Sequence, residues 1–336
     1  MRPDRRRLLA GLLLTPACAL ANPPAPSAPS APSAKAAAWP TRPVRVVVPF
    51  APGGGTDIVA RALATALGTQ LGQPVAVENK PGGATIIGAD SVAKADADAH
   101  VLLVSGSTTF TVNPALRQRL PYDPARDLLP VARLARAPLV LVVRADAPWK
   151  TLPELLAAAR AKPGALAHAS FGPGSAPQLA AALLALQAGA QFLDVPYKGS
   201  APALTDLLGG QLQFLIDTAA SAAPQVRAGT LRALDVLDTR PSAALPDVPT
   251  LATLRLPGAS FDAWYGLAAP GRLPAAAREL LERATQRALS DPAVQAALRQ
   301  QAMEPAFAGS AALRPLIDEE IARYRMVAAR ARLVVE

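Results

Sequence analysis

Apolar residues fall along this chain in two rhythms, short β-branched runs and longer stretches at helical spacing, with glycine or proline at most boundaries. The run Val44-Arg45-Val46-Val47-Val48-Pro49-Phe50 predicts a buried parallel strand, because a strand covered on both faces needs no polar alternation. Ala51-Pro52-Gly53-Gly54-Gly55-Thr56-Asp57 ends it. Val59, Leu63, Ala66, Leu67 and Leu71 then share one face of a helix predicted over 58–71, with Thr56 placed to cap it. The unit is strand, glycine loop, helix.

The pattern predicts further strands at 74–79, 101–104, 139–144, 167–170, 192–196, 213–216 and 232–236, and a strand at 264–270 that crosses back. Helices are predicted at 87–95, 152–161, from 178, after 197–202, and at 274–290, 292–301 and 310–331. Pro-stiffened 245–250 is a connector. Ser105-Gly106-Ser107-Thr108-Thr109 and Phe171-Gly172-Pro173-Gly174-Ser175-Ala176-Pro177 are hydroxyl- and glycine-rich loops at strand carboxyl ends, where open parallel sheets bind ligands. The second repeats the opening arrangement. Two facing loops with backbone donors around one cleft are therefore expected.

Composition narrows the class. The chain has 336 residues, enough for two ordinary domains, and its hydrophobic half is rich in alanine and leucine and poor in aromatics, as in an α/β protein. Residues 1–21 have a basic start, an apolar core and Ala19-Leu20-Ala21, which reads as a cleaved secretory leader. Arg5-Arg6-Arg7-Leu8-Leu9 suits twin-arginine export, and a general secretory leader fits as well. Residues 22–38 form a Pro/Ala/Ser-rich linker with nothing to bury, so the fold is expected to start near Trp39. The formal charge is +9, and removing four arginines and one aspartate with the leader leaves +6. The remaining basic residues form no run and alternate with no aromatics, which argues against nucleic acid.

The candidate chemistry is that of an anion site. Glycines let backbone N–H groups approach a ligand, and a helix start adds donors at the positive end of its dipole. Gly55-Thr56-Asp57 lacks the lysine of a phosphate-binding Walker loop, the glycine spacing does not match a dinucleotide fingerprint, and Asp57 would repel a phosphate cluster. The single cysteine, Cys18, lies in the leader after a poor lipoprotein box, and the two histidines, His100 and His168, lack metal-ligand spacing. No metal site, cofactor or catalytic residue is predicted. The rival reading is a secreted serine hydrolase using Ser170, which sits at a strand-to-helix turn; it lacks the first glycine of G-x-S-x-G and an obvious histidine partner.

With those residues in view the chain resembles the Bug (TctC-type) extracytoplasmic solute receptors of tripartite tricarboxylate transport. The resemblance lies in WPTRPVRVVVPFAPGGGTDIVARALA, LGQPVAVENKPGG, VNPALRQRLPYDPARDLLPVARL, VPYKGSAPALTDLLGGQLQF, AGTLRAL, ALPDVPTL and WYGLAAP, which cover nearly all of the chain from Trp39 onward. It implies a two-domain, type II periplasmic-binding-protein-like α/β fold, each domain a mostly parallel sheet flanked by helices. The first domain would span 39–141 and 259–336, and the second 142–258. It also implies a periplasmic, monomeric, non-enzymatic receptor that holds a small mono- or dicarboxylate between the domains, with membrane transporter subunits, or a sensor kinase, as partner.

By the same resemblance, loop one is Phe50, Ala51, Pro52, Gly53, Gly54, Gly55, Thr56 and Asp57, binding mainly through backbone N–H groups and bridging waters. The facing loop supplies Ser170, Phe171, Gly172, Gly174, Ser175 and Gln178. Ser105, Ser107, Thr108, Tyr197, Asp217 and Trp264, with Tyr265 beside it, complete the expected cleft. Phe171 stands where the family commonly has a small polar residue and Gln178 where it often has histidine. PGGATIIGAD stands in place of the frequent Pro-Gly-Ala-Gly-Gly-Asn.

Overall fold

The computed structural model describes residues 39–96, 98, 100–331 and 333; the expected leader, linker and Cys18 lie outside the described residues. Two sheets organise the chain. The first contains β1 (Val44–Val48), β2 (Val75–Asn79), β3 (Val101–Gly106), β4 (Leu128–Arg136), β10 (Trp264–Pro270) and β11 (Glu304–Gly309), in the order β11-β4-β10-β3-β1-β2. The second contains β5 (Leu139–Arg144), β6 (Ala167–Ser170), β7 (Leu193–Pro196), β8 (Phe214–Thr218) and β9 (Leu231–Val236), in the order β7-β6-β8-β5-β9. The helices are α1 (Gly55–Leu71), α2 (Ile86–Ala93), α3 (Asn113–Leu116), α4 (Leu152–Ala161), α5 (Ala176–Ala188), α6 (Ser200–Leu208), α7 (Ala219–Arg227), α8 (Ala275–Leu289), α9 (Pro292–Gln300) and α10 (Ser310–Ala331).

The valine runs are explained by helices on both faces of each sheet. Val46 and Val48 of β1 point into one core with Leu63 and Leu67 of α1 and Leu281 of α8, while Val47 points the other way, to Val92 of α2 and Leu313 of α10. In the second sheet Leu139 and Leu141 pack on α4 and α5, and Val140 and Val142 on α6 and α7. Strands β1, β2 and β3 are parallel, as are β6, β7 and β8. β10 runs antiparallel to β3 and β4, and β5 antiparallel to β8 and β9, so each sheet is mixed. The opposed strands adjoin the passages between the sheets: β4 leads into β5, and the chain returns to enter β10.

An ionic cluster centred on buried Arg136 and Asp238 ties the two passages together. Arg136, at the end of β4, reaches Asp262 (3.1 Å), Glu304 (2.8 Å) and Asp238, and Arg240 bonds both Asp238 and Asp262. Burial pushes the Asp238 carboxyl up, but Arg136 and Arg240 outweigh it and hold it below the usual range. The helix α10 lies under both sheets, with Leu313 and Ile317 in one core and Tyr324 and Val327 in the other. Between them Glu320 is buried and accepts the Trp264 indole N–H at 3.2 Å; burial lifts its carboxyl to about 7.

Several elements differ from expectation. The helix after loop one starts at Gly55, with Gly54 as N-cap, so Thr56 lies inside the first turn and its side chain caps nothing. Strands β4 and β11 and helix α7 appear where no element was expected. β4 carries Pro130 and Arg133, but a central position in the sheet buries Val131, Ala132, Leu134 and Ala135. β11 is a half-buried edge strand with Pro305, and α7 contains Pro224.

Two stability predictions follow from this packing. A Cβ at Gly271 would overlap the Arg126 carbonyl oxygen, so Gly271→Ala is expected to cost about 2–4 kcal/mol in chemical denaturation; an unchanged midpoint would show that the turn relaxes freely. Because the folded Glu320 pKa lies above the unfolded value, its contribution is favourable below about pH 4.5 and is lost as pH rises through about 7. Glu320→Gln should therefore gain about 2–3 kcal/mol on the wild type at pH 8 and little at pH 4, as read from denaturation midpoints at the two pH values.

Candidate functional site

The carboxyl ends of β1 and β3 and of β6 and β8 open into one cleft of about 370 Å³. From the first sheet it is lined by Phe50, Gly54, Gly55 and Thr56, by Ser107 and Thr108, and by Trp264. From the second it is lined by Phe171, Gly174, Ser175 and Asp217. These eleven expected residues share one wall-to-wall site. Among the described residues no lysine, arginine or histidine lines it, so an anion there has to be held by amides and hydroxyls.

Loop one meets that need. No side chain caps Gly54 at the start of the 17-residue α1, which leaves the N–H groups of the first turn aimed outward at the positive end of the helix dipole. Asp57 sits behind the wall and holds the loop open. Its carboxylate accepts N–H bonds from Gly53 (2.9 Å), Arg61 (2.9 Å) and Asn79 (2.9 Å), and Asn79 also bonds the Phe50 carbonyl. The Arg61 hydrogen bond, helped by Gly53 and Asn79 and opposed by burial, holds the Asp57 carboxyl at about 2. Ala51, Pro52 and Gly53 form the exposed outer part of the loop and do not line the cleft; Gly53 has φ +83°, which suits glycine.

The facing loop is built differently from the expected second set of open donors. Phe171 N–H donates to Ser175 Oγ (3.0 Å), Ser175 N–H to the Gly172 carbonyl (3.1 Å) and Gly174 N–H to Gln178 Oε1 (2.9 Å). Pro173 and Pro177 have no N–H. Gly172 and Gln178 thus shape the loop from outside the cleft, with Gln178 Nε2 anchored on Asp194 (2.7 Å). Ser170 is fully buried with no hydrogen-bond partner for its hydroxyl, and it does not line the cleft. His168 is stacked on Phe214 and meets Phe192 edge-on. Tyr197 lies outside the lining, bonded to Asp206 at 2.7 Å.

Ser105 belongs to a buried hydroxyl chain beneath the wall: Ser105 and Thr109 are 2.5 Å apart, Thr109 donates to Thr85 (2.7 Å), and Asn113 bonds Thr85 and the Ala84 carbonyl. Thr85 and Ala84 line the cleft and were not among the expected residues. Both have positive φ, +81° and +50°, and strained backbone of this kind collects at functional sites. Their stretch, PGGATIIGAD, had stood out only as a departure from a glycine-rich pattern. Tyr265 was expected only as a neighbour of Trp264, yet its hydroxyl fills the space beside Gly55, where a Cβ would collide with it. Burial, and then the nearby Asp217, push its phenol to about 12. Asp217 itself is buried, accepts hydrogen bonds from Ser200 and the Thr218 N–H (2.7 Å), and is shifted upward, chiefly by burial. Among the described residues no group of histidine, cysteine or acidic side chains could hold a metal.

Asp57→Ala is expected to release the Gly53 and Asn79 bonds and splay loop one. Because the folded Asp57 pKa is depressed, its contribution is present above about pH 4 and fades as pH falls towards 2. The variant should therefore lose stability against the wild type at pH 7 but not near pH 2, measured by urea denaturation. Equal losses at both would assign the carboxylate no such role.

Comparison with known proteins extends this picture. The model of the tripartite tricarboxylate transporter family receptor matches residues 59–333. The protein BugT of Bordetella pertussis is 38% identical over 287 residues, which cover 85% of this chain and 88% of BugT. A Rhodopseudomonas palustris protein with adipate superimposes with TM-score 0.76 at 32% identity, covering 88% of this chain and 99% of that one. MatC from the same organism with bound malate gives 0.73 at 34%, covering 86% and 99%. A match of this extent, on a mixed α/β two-sheet fold of the same kind, places this chain in the tripartite tricarboxylate transporter receptor family, the Bug or TctC-type solute-binding proteins.

Proposed function

We propose that this protein is a periplasmic receptor that captures a small carboxylate in the cleft between its two sheets and delivers it to the membrane subunits of a tripartite transporter. The observation that carries the reading is the uncapped start of α1, opening into a cleft that no basic side chain lines. The amides of Gly54, Gly55 and Thr56, with the hydroxyls of Ser107 and Thr108, form the carboxylate seat. Relatives with malate and with adipate support the ligand class. No catalytic step is proposed: Ser170 is buried away from the cleft, and His168 is packed between aromatic rings.

Charge-assisted hydrogen bonds contribute about 1.5–3 kcal/mol each, so a few of them support micromolar binding, about −8 kcal/mol. The two lobes, 39–141 with 259–336 and 142–258, are proposed to close on the ligand about the paired passages, coupling affinity to domain movement. The receptor acts as a monomer.

Gly54 has φ −79° and open space where a Cβ would stand, so Gly54→Val should fold normally while its side chain covers the donors. A thermal-shift screen against carboxylic acids should show stabilisation of the wild type, about 2.7 kcal/mol at a hundredfold excess over Kd, and none for Gly54→Val. Equal stabilisation of both would remove loop one from the site.

A further inference from the structure

The two walls of the cleft differ in a way that bears on what fills it. No side chain caps α1 or α5, but loop one leaves the whole first turn of α1 open, whereas the facing loop uses the amides of Phe171, Gly174 and Ser175 within itself and carries two prolines, so that only the Ala176 and Gln178 amides of the first turn of α5 stay open. What the second sheet offers the cleft is largely carbon: the Phe171 ring, Pro173, Ala176 and Leu139. Among the described residues the only charged or chargeable group lining that side is Asp217, whose oxygens already accept from Ser200 and Thr218.

We infer, on the strength of the carboxylate-receptor reading above, that this cleft selects a monocarboxylate with an apolar body of about six carbons or one ring, and that Phe171 is the residue that sets this preference. The carboxylate end is satisfied by loop one. A second carboxylate at the far end would lose its water and meet apolar walls and Asp217, with only the Ala176 and Gln178 amides and the Ser175 hydroxyl to answer it, fewer donors than loop one offers, and a carboxylate moved from water with too few compensating bonds is disfavoured. Hydrocarbon placed there gains by burial instead. The outcome is the same in either protonation state of Asp217, since an ionised form repels a second carboxylate and a neutral form lacks the charge to compensate it. An ammonium end would require Asp217 to be ionised, which its burial opposes.

Three six-carbon probes separate these cases by calorimetry on the mature chain: hexanoate, adipate and 6-aminohexanoate share a length and a carboxylate and differ only at the far end. Hexanoate is expected to bind at least about tenfold more tightly than either of the others. Adipate binding as tightly as hexanoate, or more so, would overturn the inference and leave the carboxylate-receptor reading intact. A preference for 6-aminohexanoate would overturn it in favour of an ionised Asp217. Binding of malate or succinate with none of the three would also overturn it alone, whereas no binding by any acid would defeat both readings. Phe171→Ser, at a half-buried position, should lower the hexanoate-to-adipate affinity ratio at least about fivefold. An unchanged ratio would overturn the assignment to Phe171.

Discussion

The whole arrangement depends on keeping the first turn of α1 bare. A helix start normally finds a serine, threonine or aspartate to satisfy its leading amides. Here a glycine occupies the N-cap, and the nearby acidic side chain, Asp57, is turned away from the turn and onto Gly53, Arg61 and Asn79. The same carboxylate that could have quenched the dipole from the front instead fixes the loop from behind. Glycine at 54 then serves access to the amides and not conformation, and glycine at 55 serves space, since a Cβ there would strike the Tyr265 hydroxyl.

For the proposed carboxylate receptor, that constraint accounts for a chain built as two sheets rather than one. An open row of amides on a single lobe remains in water, where a hydrogen bond to an anion is weak. Setting a second, largely apolar wall opposite lowers the local polarity and strengthens each bond. The passages between the sheets then hold the walls in register. Arg136 and Asp238 do this with charges buried at the crossing point, joined by half-buried Asp262 and exposed Arg240, and α10 braces both cores from beneath. Buried ion pairs contribute modestly to net stability but are costly to break one partner at a time, which suits a joint that has to keep its geometry.

Much of this could be read from the residues. The β1, loop and α1 unit declared itself through an unbroken valine run, a glycine cluster and a helical apolar stripe, and the 264–270 and 310–331 elements match their expected bounds. What escaped was structure whose signal is tertiary. Burial of β4 comes from its place between β10 and β11, and Pro130 and Arg133 break its pattern. Ala84 and Thr85 adopt left-handed backbone without being glycine, so nothing local announces them as cleft residues. The glycine and serine content of the facing loop suggested open donors, but hydrogen bonds within the loop, invisible in sequence, use the amides of Phe171, Gly174 and Ser175 and leave only those at the start of α5.

The most direct test of the central claim is a backbone amide spectrum of the perdeuterated mature chain, recorded while hexanoate is added. The account predicts that the Gly54, Gly55 and Thr56 amide protons shift furthest and move downfield, as donors to a carboxylate, with smaller changes around Phe171. Saturable binding that leaves those three amides unmoved, or that shifts a surface remote from the cleft, would contradict it.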